Sequence, residues 1–293
     1  MSWRVVIVTR IPPVLTGFDT VVRRLGHEPV AFLTMRNVDR RYGPVSLTDE
    51  LVMGAADDLD VLLPARRSTI APLLASVQPD LVVCMGFPWR IPPDALAVPR
   101  LGWINGHPSL LPRHRGPLPV SWAIRGGDEE IGITFHRMDA DLDTGPILSQ
   151  RPYPLGEPED PEVFYAGFGQ VIGEALAEAL ERLAAGDEGT AQEEGGSYES
   201  FFPDEDTWLD LSRPAVEAHR LVWAWRYGGS PGRTPGALLE LDGAPVRVLA
   251  TSLAEVEGAR RLECGDAPIW VVETEELSEE EASSTTAPAA SRR

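Results

Sequence analysis

Val5-Val-Ile-Val8 is a run of four β-branched residues near the start of the chain, and Leu81-Val-Val-Cys-Met85 and Gly102-Trp-Ile-Asn105 are two further short apolar runs. Uninterrupted apolar strands are what a parallel sheet covered on both faces requires, because both sides of each strand meet core. Helical patterns at Thr20–Gly26 and Thr69–Val77 fall between such runs, as do strand-like segments at Pro29–Leu33 and Val61–Pro64. Short strands alternating with helices predict an α/β fold: a Rossmann-like parallel sheet with right-handed crossovers. Residues 34–50 are polar, carry Arg36, Arg40 and Arg41, and read as a loop over the sheet edge.

Working outward, His107–Pro112 forms the loop at the carboxyl end of the Gly102–Asn105 strand, where ligands collect in open α/β sheets. Pro119–Arg125 reads as a helix, Ile131–Arg137 and Pro146–Tyr153 as strands, and Pro161–Ala185 as a long helix ended by Gly186. Residues 186–206 are rich in Gly and acids and poor in apolar groups, which predicts an interdomain linker. Beyond it come Trp208–Leu211, a helix around Pro214–Trp225 and the turn-rich Gly228–Gly236. Three β-like runs follow at Ala237–Leu241, Val246–Thr251 and Pro268–Val272. The expected organisation is a catalytic domain over 1–186, an acidic linker over 187–206, a small barrel-like β domain over 207–275 and a disordered tail over 276–293.

Composition narrows the chemistry. The chain has 293 residues, enough for a large core and a smaller second unit. Arg supplies all 26 basic residues and there is no Lys. That excludes a Schiff-base enzyme, a lysine-anchored pyridoxal cofactor and a conventional Walker A loop. A net charge of −19 opposes nucleic-acid binding except through a local Arg patch. Cys84 and Cys264 read as free thiols, and five scattered His give no metal-ligand spacing, so no metal is expected. No apolar run reaches the ~20 residues of a membrane span, and the N-terminus reads as a strand rather than a secretion signal. A cytoplasmic protein is expected, with its oligomeric state open. Trp208, Trp223, Trp225 and Tyr227 read as core.

The chemistry-bearing residues are Asn105, His107 and Asp143, in the segments Asn105-Gly-His-Pro-Ser-Leu-Leu-Pro112 and Met138-Asp-Ala-Asp-Leu-Asp-Thr-Gly145. Taken singly they are a capping Asn, a core His and a turn Asp. Taken together, an amide, an imidazole and a carboxylate are the groups that move an acyl group onto an amine. The amide N–H polarises the acyl oxygen, the imidazole carries protons, and the carboxylate orients the imidazole. No Ser or Cys nucleophile stands in a recognisable context, so direct attack by the acceptor amine is the simpler route.

These two segments, with Arg115-Gly116 between them, resemble the formyltransferase family that uses 10-formyltetrahydrofolate. The resemblance runs with gaps from about residue 80 to 155, and more loosely over 1–80 and 203–250. It implies a formyltransferase-type catalytic domain, a small OB-like C-terminal domain and 10-formyltetrahydrofolate as the formyl donor. It also implies that Asn105 and His107 bind the developing oxyanion, that His107 moves the amine proton toward folate N10, and that Asp143 orients His107. The folate slot would be made by three loops: Trp89, Arg90 and Ile91; Ser109, Leu110, Leu111 and Pro112; and Asp139, Ala140, Asp141 and Leu142. Leu110 and Leu111 would also serve as plain core, and Arg90 reads as a surface side chain.

Family members acting on initiator methionyl-tRNA usually carry a basic, Gly-rich insertion and a positively charged linker. Here Met35–Val45 is short, the linker is acidic, and Val8-Thr-Arg-Ile-Pro-Pro13 lacks the usual Gly-Thr-Pro turn. The expected acceptor is therefore a small-molecule amine, such as an amino sugar nucleotide or a biosynthetic amino acid. Methionyl-tRNA, hydrolysis of the formyl donor by water, and a silent folate- or nucleotide-binding module are the alternatives. His136 reads as a structural His and His114 as exposed. Arg113 and Arg115 read either as anion ligands or as solvated loop residues.

Overall fold

The computed structural model describes residues 2–36, 47–156, 161–228 and 236–284. Arg40 and Arg41, most of the Met35–Val45 stretch, the turn at 229–235 and the tail beyond 284 lie outside the described residues.

The first half of the chain forms strands β1 (Arg4–Thr9), β2 (Glu28–Leu33), β3 (Asp60–Leu62), β4 (Leu81–Met85) and β5 (Trp103–His107). They interleave with helices α1 (Pro12–Arg24), α2 (Leu47–Gly54), α3 (Ile70–Val77) and the single turn α4 (Pro93–Leu96). Helix α5 (Pro119–Gly126), strands β6 (Glu130–Arg137) and β7 (Ile147–Pro154) and the long helix α6 (Pro161–Ala184) follow. All seven strands join one sheet in the order β3-β2-β1-β4-β5-β6-β7. This is the Rossmann-like sheet expected, with one correction: the sheet is mixed. Strands β3 to β5 are mutually parallel, whereas β6 runs antiparallel to both β5 and β7. The connection from β5 to β6 already contains a helix, so its length did not reveal the reversal.

Alternation along the strands sorts the core into two layers. Val5 and Ile7 of β1 face α1 and α6, while Val6 and Val8 face α3 and α4. Helix α6 presents Phe164, Phe168, Ile172, Ala175, Leu176, Ala179, Leu180 and Leu183 to the sheet, a spacing of three and four that makes one apolar stripe. Leu176 is fully buried there, so truncating it to Ala costs about 2–5 kcal/mol. Helix α1 begins at Pro12, well before the expected Thr20. Pro12 and Pro13 fit the first turn, where no N–H is needed, and so start the helix rather than prevent it.

The C-terminal part holds helix α7 (Ala215–Gly228), strands β8 (Leu238–Leu241), β9 (Ala244–Ser252), β10 (Arg260–Glu263) and β11 (Pro268–Glu276), and helix α8 (Glu279–Ser284). The strands form an antiparallel sheet, β10-β11-β9-β8, an open half-barrel packed on α7. Strand β10, Arg-Arg-Leu-Glu, has almost no apolar signal and was not expected. No helix among the described residues is long and apolar enough to cross a membrane.

Candidate active site

Asn105 and His107 are two apart on β5, so they project from the same face of the sheet. The antiparallel register sets His136 of β6 opposite Asn105 and Thr134 opposite His107. Four polar side chains therefore share one face, and Gln150 of β7, paired with Thr134, extends it by donating to the Thr134 hydroxyl at 2.8 Å. Strand β5 extends through His107, so this residue ends the strand rather than opening the loop as expected. A buried strand end holds a ring more rigidly than a loop does, and His107 is only 4% exposed.

The loop after β6 doubles back over this face. Arg137 N donates to Pro146 O at 2.9 Å, which closes residues 138–145 into a compact excursion. Asp139 accepts from the Asp141 amide and from the Thr144 hydroxyl, pinning both limbs of the loop. Asp143 adopts a left-handed backbone, φ 58°, a conformation costly for any residue with a side chain unless its neighbours hold it. Gly145 follows because a Cβ there would collide with the Arg137 carbonyl. The outcome is that Asp143 Oδ1 lies 3.6 Å from His107 Nδ1, and Gly116 N donates to Asp143 Oδ2 at 3.2 Å.

The other ring nitrogen, His107 Nε2, lies 2.8 Å from the His114 carbonyl oxygen. A carbonyl only accepts, so Nε2 carries hydrogen when this contact forms, and Nδ1 faces the carboxylate. Asn105 Nδ2 lies 3.2 Å from His136 Nε2, while His136 Nδ1 donates to the Arg137 carbonyl at 2.9 Å. The hydrogen on Nδ1 leaves Nε2 as an acceptor, so the Asn105 amide must point its NH2 at that ring. Burial pushes the His136 pKa down to about 4, against an opposing pull from Asp143. His136 is thus a neutral imidazole that touches Asn105 and lies 3.8 Å from Asp143.

The three loops named from sequence lie around this trio in different ways. Arg90 donates to the Ala140 carbonyl and to Asp141 Oδ1, joining loop 89–91 to loop 139–142. Ile91 is buried and Trp89 packs on the apolar face between β4 and α4. Leu111 and Ser109 are fully buried, with Ser109 Oγ donating to the Arg113 carbonyl at 2.7 Å, whereas Leu110 lies over Gly132 of β6. Pro112 follows a cis peptide bond. Asp139, Ala140, Asp141 and Leu142 are exposed, and Leu142 is half out in solvent. Thr134 Oγ1 organises the middle loop by donating to Ser109 O at 2.7 Å and accepting from Leu111 N at 3.2 Å.

Sequence reasoning missed the acidic stretch 187–206 as a neighbour of the site. Ile147 and Thr190 exchange backbone hydrogen bonds, and Arg115 does the same with Ser197 and Glu199. Ser197 Oγ accepts from the His114 amide at 2.8 Å. Gln192 Nε2 donates to the carbonyls of Asp143 and Gly145 at 2.8 and 2.9 Å. Gly116, at φ 119°, leaves no room for a Cβ beside the Glu199 carbonyl. His114, expected to be exposed, is half-buried with its nitrogens 2.8 Å from Asp128 Oδ2 and 3.3 Å from Glu199 Oε2. The contacts to this stretch join residues some 40 to 85 positions apart, so no local pattern announces them. Among the described residues no group of His, Cys, Asp and Glu is arranged to hold a metal. Cys84, beside Asn105 on the adjacent strand β4, is buried with its thiol pushed up to about 12, and Cys264 is a free cysteine too.

Comparisons with known proteins agree with this geometry. Residues 63–180 match the family model described as formyl transferase. A methionyl-tRNA formyltransferase of Pseudomonas fluorescens Pf-5 is 37% identical over 207 residues, covering 69% of this chain and 63% of that protein. One from Trichlorobacter lovleyi is 34% identical over 198 residues, covering 66% and 60%. This chain thus spans less than two thirds of the length of those relatives. The fold is shared with HypX of Aquifex aeolicus, solved with tetrahydrofolic acid, at a TM-score of 0.68 and 18% identity over 96% of this chain and 45% of that one. It is shared equally with a sugar N-formyltransferase of Shewanella sp. FDAARGOS_354, at a TM-score of 0.65 and 21% identity over 86% and 99%. On the matched family model and these relatives, the chain belongs to the formyl transferase family.

Proposed function

We propose that this chain transfers the formyl group of 10-formyltetrahydrofolate directly to a primary amine. The observation that carries the reading is the convergence of Asn105, His107 and Asp143 on one sheet face, with His107 Nδ1 3.6 Å from the carboxylate. The amine attacks the formyl carbon, the new C–N bond forms, the bond to folate N10 breaks, and the amine proton passes to N10. The charge that develops on the formyl oxygen needs donors, and the Asn105 NH2 is directed by His136 so that its second hydrogen remains free for that oxygen. His107 would accept the amine proton at Nδ1, the nitrogen that the His114 contact leaves without hydrogen, and return it to N10. Asp143 holds that ring and stabilises its charged form, while Gly116 N keeps the carboxylate from turning away.

For the acceptor, methionyl-tRNA is the reading best supported, because the relatives at 34–38% identity carry that name. This places it ahead of the small amine expected from charge alone. A small-molecule amine, such as an amino sugar nucleotide or amino acid, stays as a second reading for one reason. The net charge of −19 and the acidic stretch beside the site both oppose a polyanionic acceptor. Purified protein incubated with 10-formyltetrahydrofolate and, separately, methionyl-tRNA, amino sugar nucleotides and amino acids tests both. Formyl-methionyl-tRNA formed with a steep loss at raised salt supports the first, formyl-amine formed only from small acceptors the second. Formate release without a formylated amine would instead identify a hydrolase and overturn the proposal.

A further inference from the structure

We propose that Gln192 is a positioning residue for Asp143, acting from the acidic stretch as a clamp between the His loop and the Asp loop. The inference rests on the formyl-transfer reading above. One side chain meets both loops: its amide NH2 donates to the carbonyls of Asp143 and Gly145, and its Oε1 accepts from Arg115 Nη2 at 2.6 Å. Arg115 in turn precedes Gly116, whose N–H holds the Asp143 carboxylate. Gln192 is half-buried while its neighbours Ala191, Glu193 and Glu194 face solvent, so this glutamine alone is turned inward from that part of the stretch.

The arrangement answers a specific need. Asp143 sits at φ 58°, and a carboxylate carried on that backbone is free to relax unless both sides of the peptide are tied. The carboxylate side is tied by Gly116, and the carbonyl side by Gln192. A side-chain amide suits the task because it offers two donors and an acceptor on one planar group. A carboxylate or an aliphatic residue of the same length supplies no donor for the two carbonyls. Releasing the clamp lets Asp143 drift from His107 and lowers turnover, while the folate loops 89–91 and 109–112 keep their own bonds.

The test compares Gln192→Leu and Gln192→Glu with the parent protein, and uses the exposed Glu194→Gln as a control. Gln192→Glu keeps the acceptor for Arg115 and loses only the donors. Both Gln192 variants are expected to lose 10- to 100-fold in kcat with KM for the folate donor within twofold, and to speed hydrogen exchange in peptides covering 138–146. The control is expected to behave as the parent. Unchanged turnover and exchange would overturn the proposal, as would a rate loss accompanied by faster exchange spread evenly over the chain. If the parent protein transfers formyl to no amine, the proposed function fails by itself. Exchange at 138–146 then still decides the clamp.

Discussion

The two halves of the seven-stranded sheet are made from different materials. In β1, β2 and β4 the strand interiors are apolar on both faces, from Val5 through Phe32 to Val83. In β5 and β6 one face stays apolar, with Ile104, Ile131, Ile133 and Phe135 against α5 and α6, while the other carries Asn105, His107, Thr134 and His136. A parallel strand buried on two apolar faces offers no place for a reacting group. Reversing β6 sets its polar residues directly opposite those of β5: Asn105 finds His136 across the strands, while His107 and Thr134 find their partners in the loops and in Gln150 of β7. The first half is core on both faces and the second holds the candidate site, and substitutions in each half are expected to separate stability from turnover.

The largest expected effect lies in the polar half. His107→Ala or Asp143→Ala should lower kcat for formyl transfer by about 10²–10⁴-fold, the range for losing a positioned acid–base group. Affinity for the folate donor should remain close to that of the parent. Steady-state kinetics with the accepted amine, together with donor titration, check both. Parent-like turnover in either variant would remove the trio from the mechanism. The mirror experiment is Phe32→Ala in the apolar half, where the side chain is wholly buried. It should cost about 3–5 kcal/mol in chemical unfolding and leave turnover per folded molecule unchanged. A matching loss of turnover would show that the halves are not separable.

Thr134→Val sharpens the boundary between them, because Thr134 belongs to the polar face but touches no group of the trio through its hydroxyl. That hydroxyl serves the Ser109 carbonyl, the Leu111 amide and the Gln150 side chain at 2.7, 3.2 and 2.8 Å. Replacing it with a methyl strands buried backbone groups at a cost of about 1–3 kcal/mol. The loop 109–112 should loosen, so KM for the folate donor is expected to rise several-fold with kcat little changed. A change confined to kcat would instead place Thr134 with the reacting groups.

The same comparison explains what could be read in advance. Strand β4 was legible to the residue, and α6 almost so, because unbroken apolar runs and a three-four spacing are properties of the local chain. Asn105, His107 and Asp143 were legible as residue types at fixed offsets, and the structure draws them together. Their supports were not. The β6 reversal depends on which edge a strand joins, which no residue of Glu130–Arg137 encodes. The role of 187–206 was hidden because low hydrophobicity reads as a spacer. The stretch is held in place by backbone and polar side-chain bonds to loops some 50 to 80 positions away.

The effect with the least consequence for turnover concerns His136 and acid. Its pKa is held near 4 in the folded protein, chiefly by burial, whereas an exposed imidazole titrates near 6.5. The groups facing it are Asp143 and Asp139 from the doubled-back loop, His107 from β5 and the Arg137 carbonyl. Between those two pH values the unfolded chain binds a proton that the folded chain refuses. The contribution of neutral His136 is therefore complete above about 6.5 and declines as pH falls toward 4, by at most about 1.4 kcal/mol per pH unit. His136→Gln has no such proton, so its unfolding free energy should fall less steeply than the parent's between pH 6.5 and 4. Its amide can still accept from Asn105, so the variant should keep measurable turnover. Urea unfolding across that range compares the two slopes. Identical slopes would mean that His136 takes up its proton in the folded protein as readily as in the unfolded chain, and once protonated the ring cannot accept the Asn105 N–H on which the orientation of that amide depends.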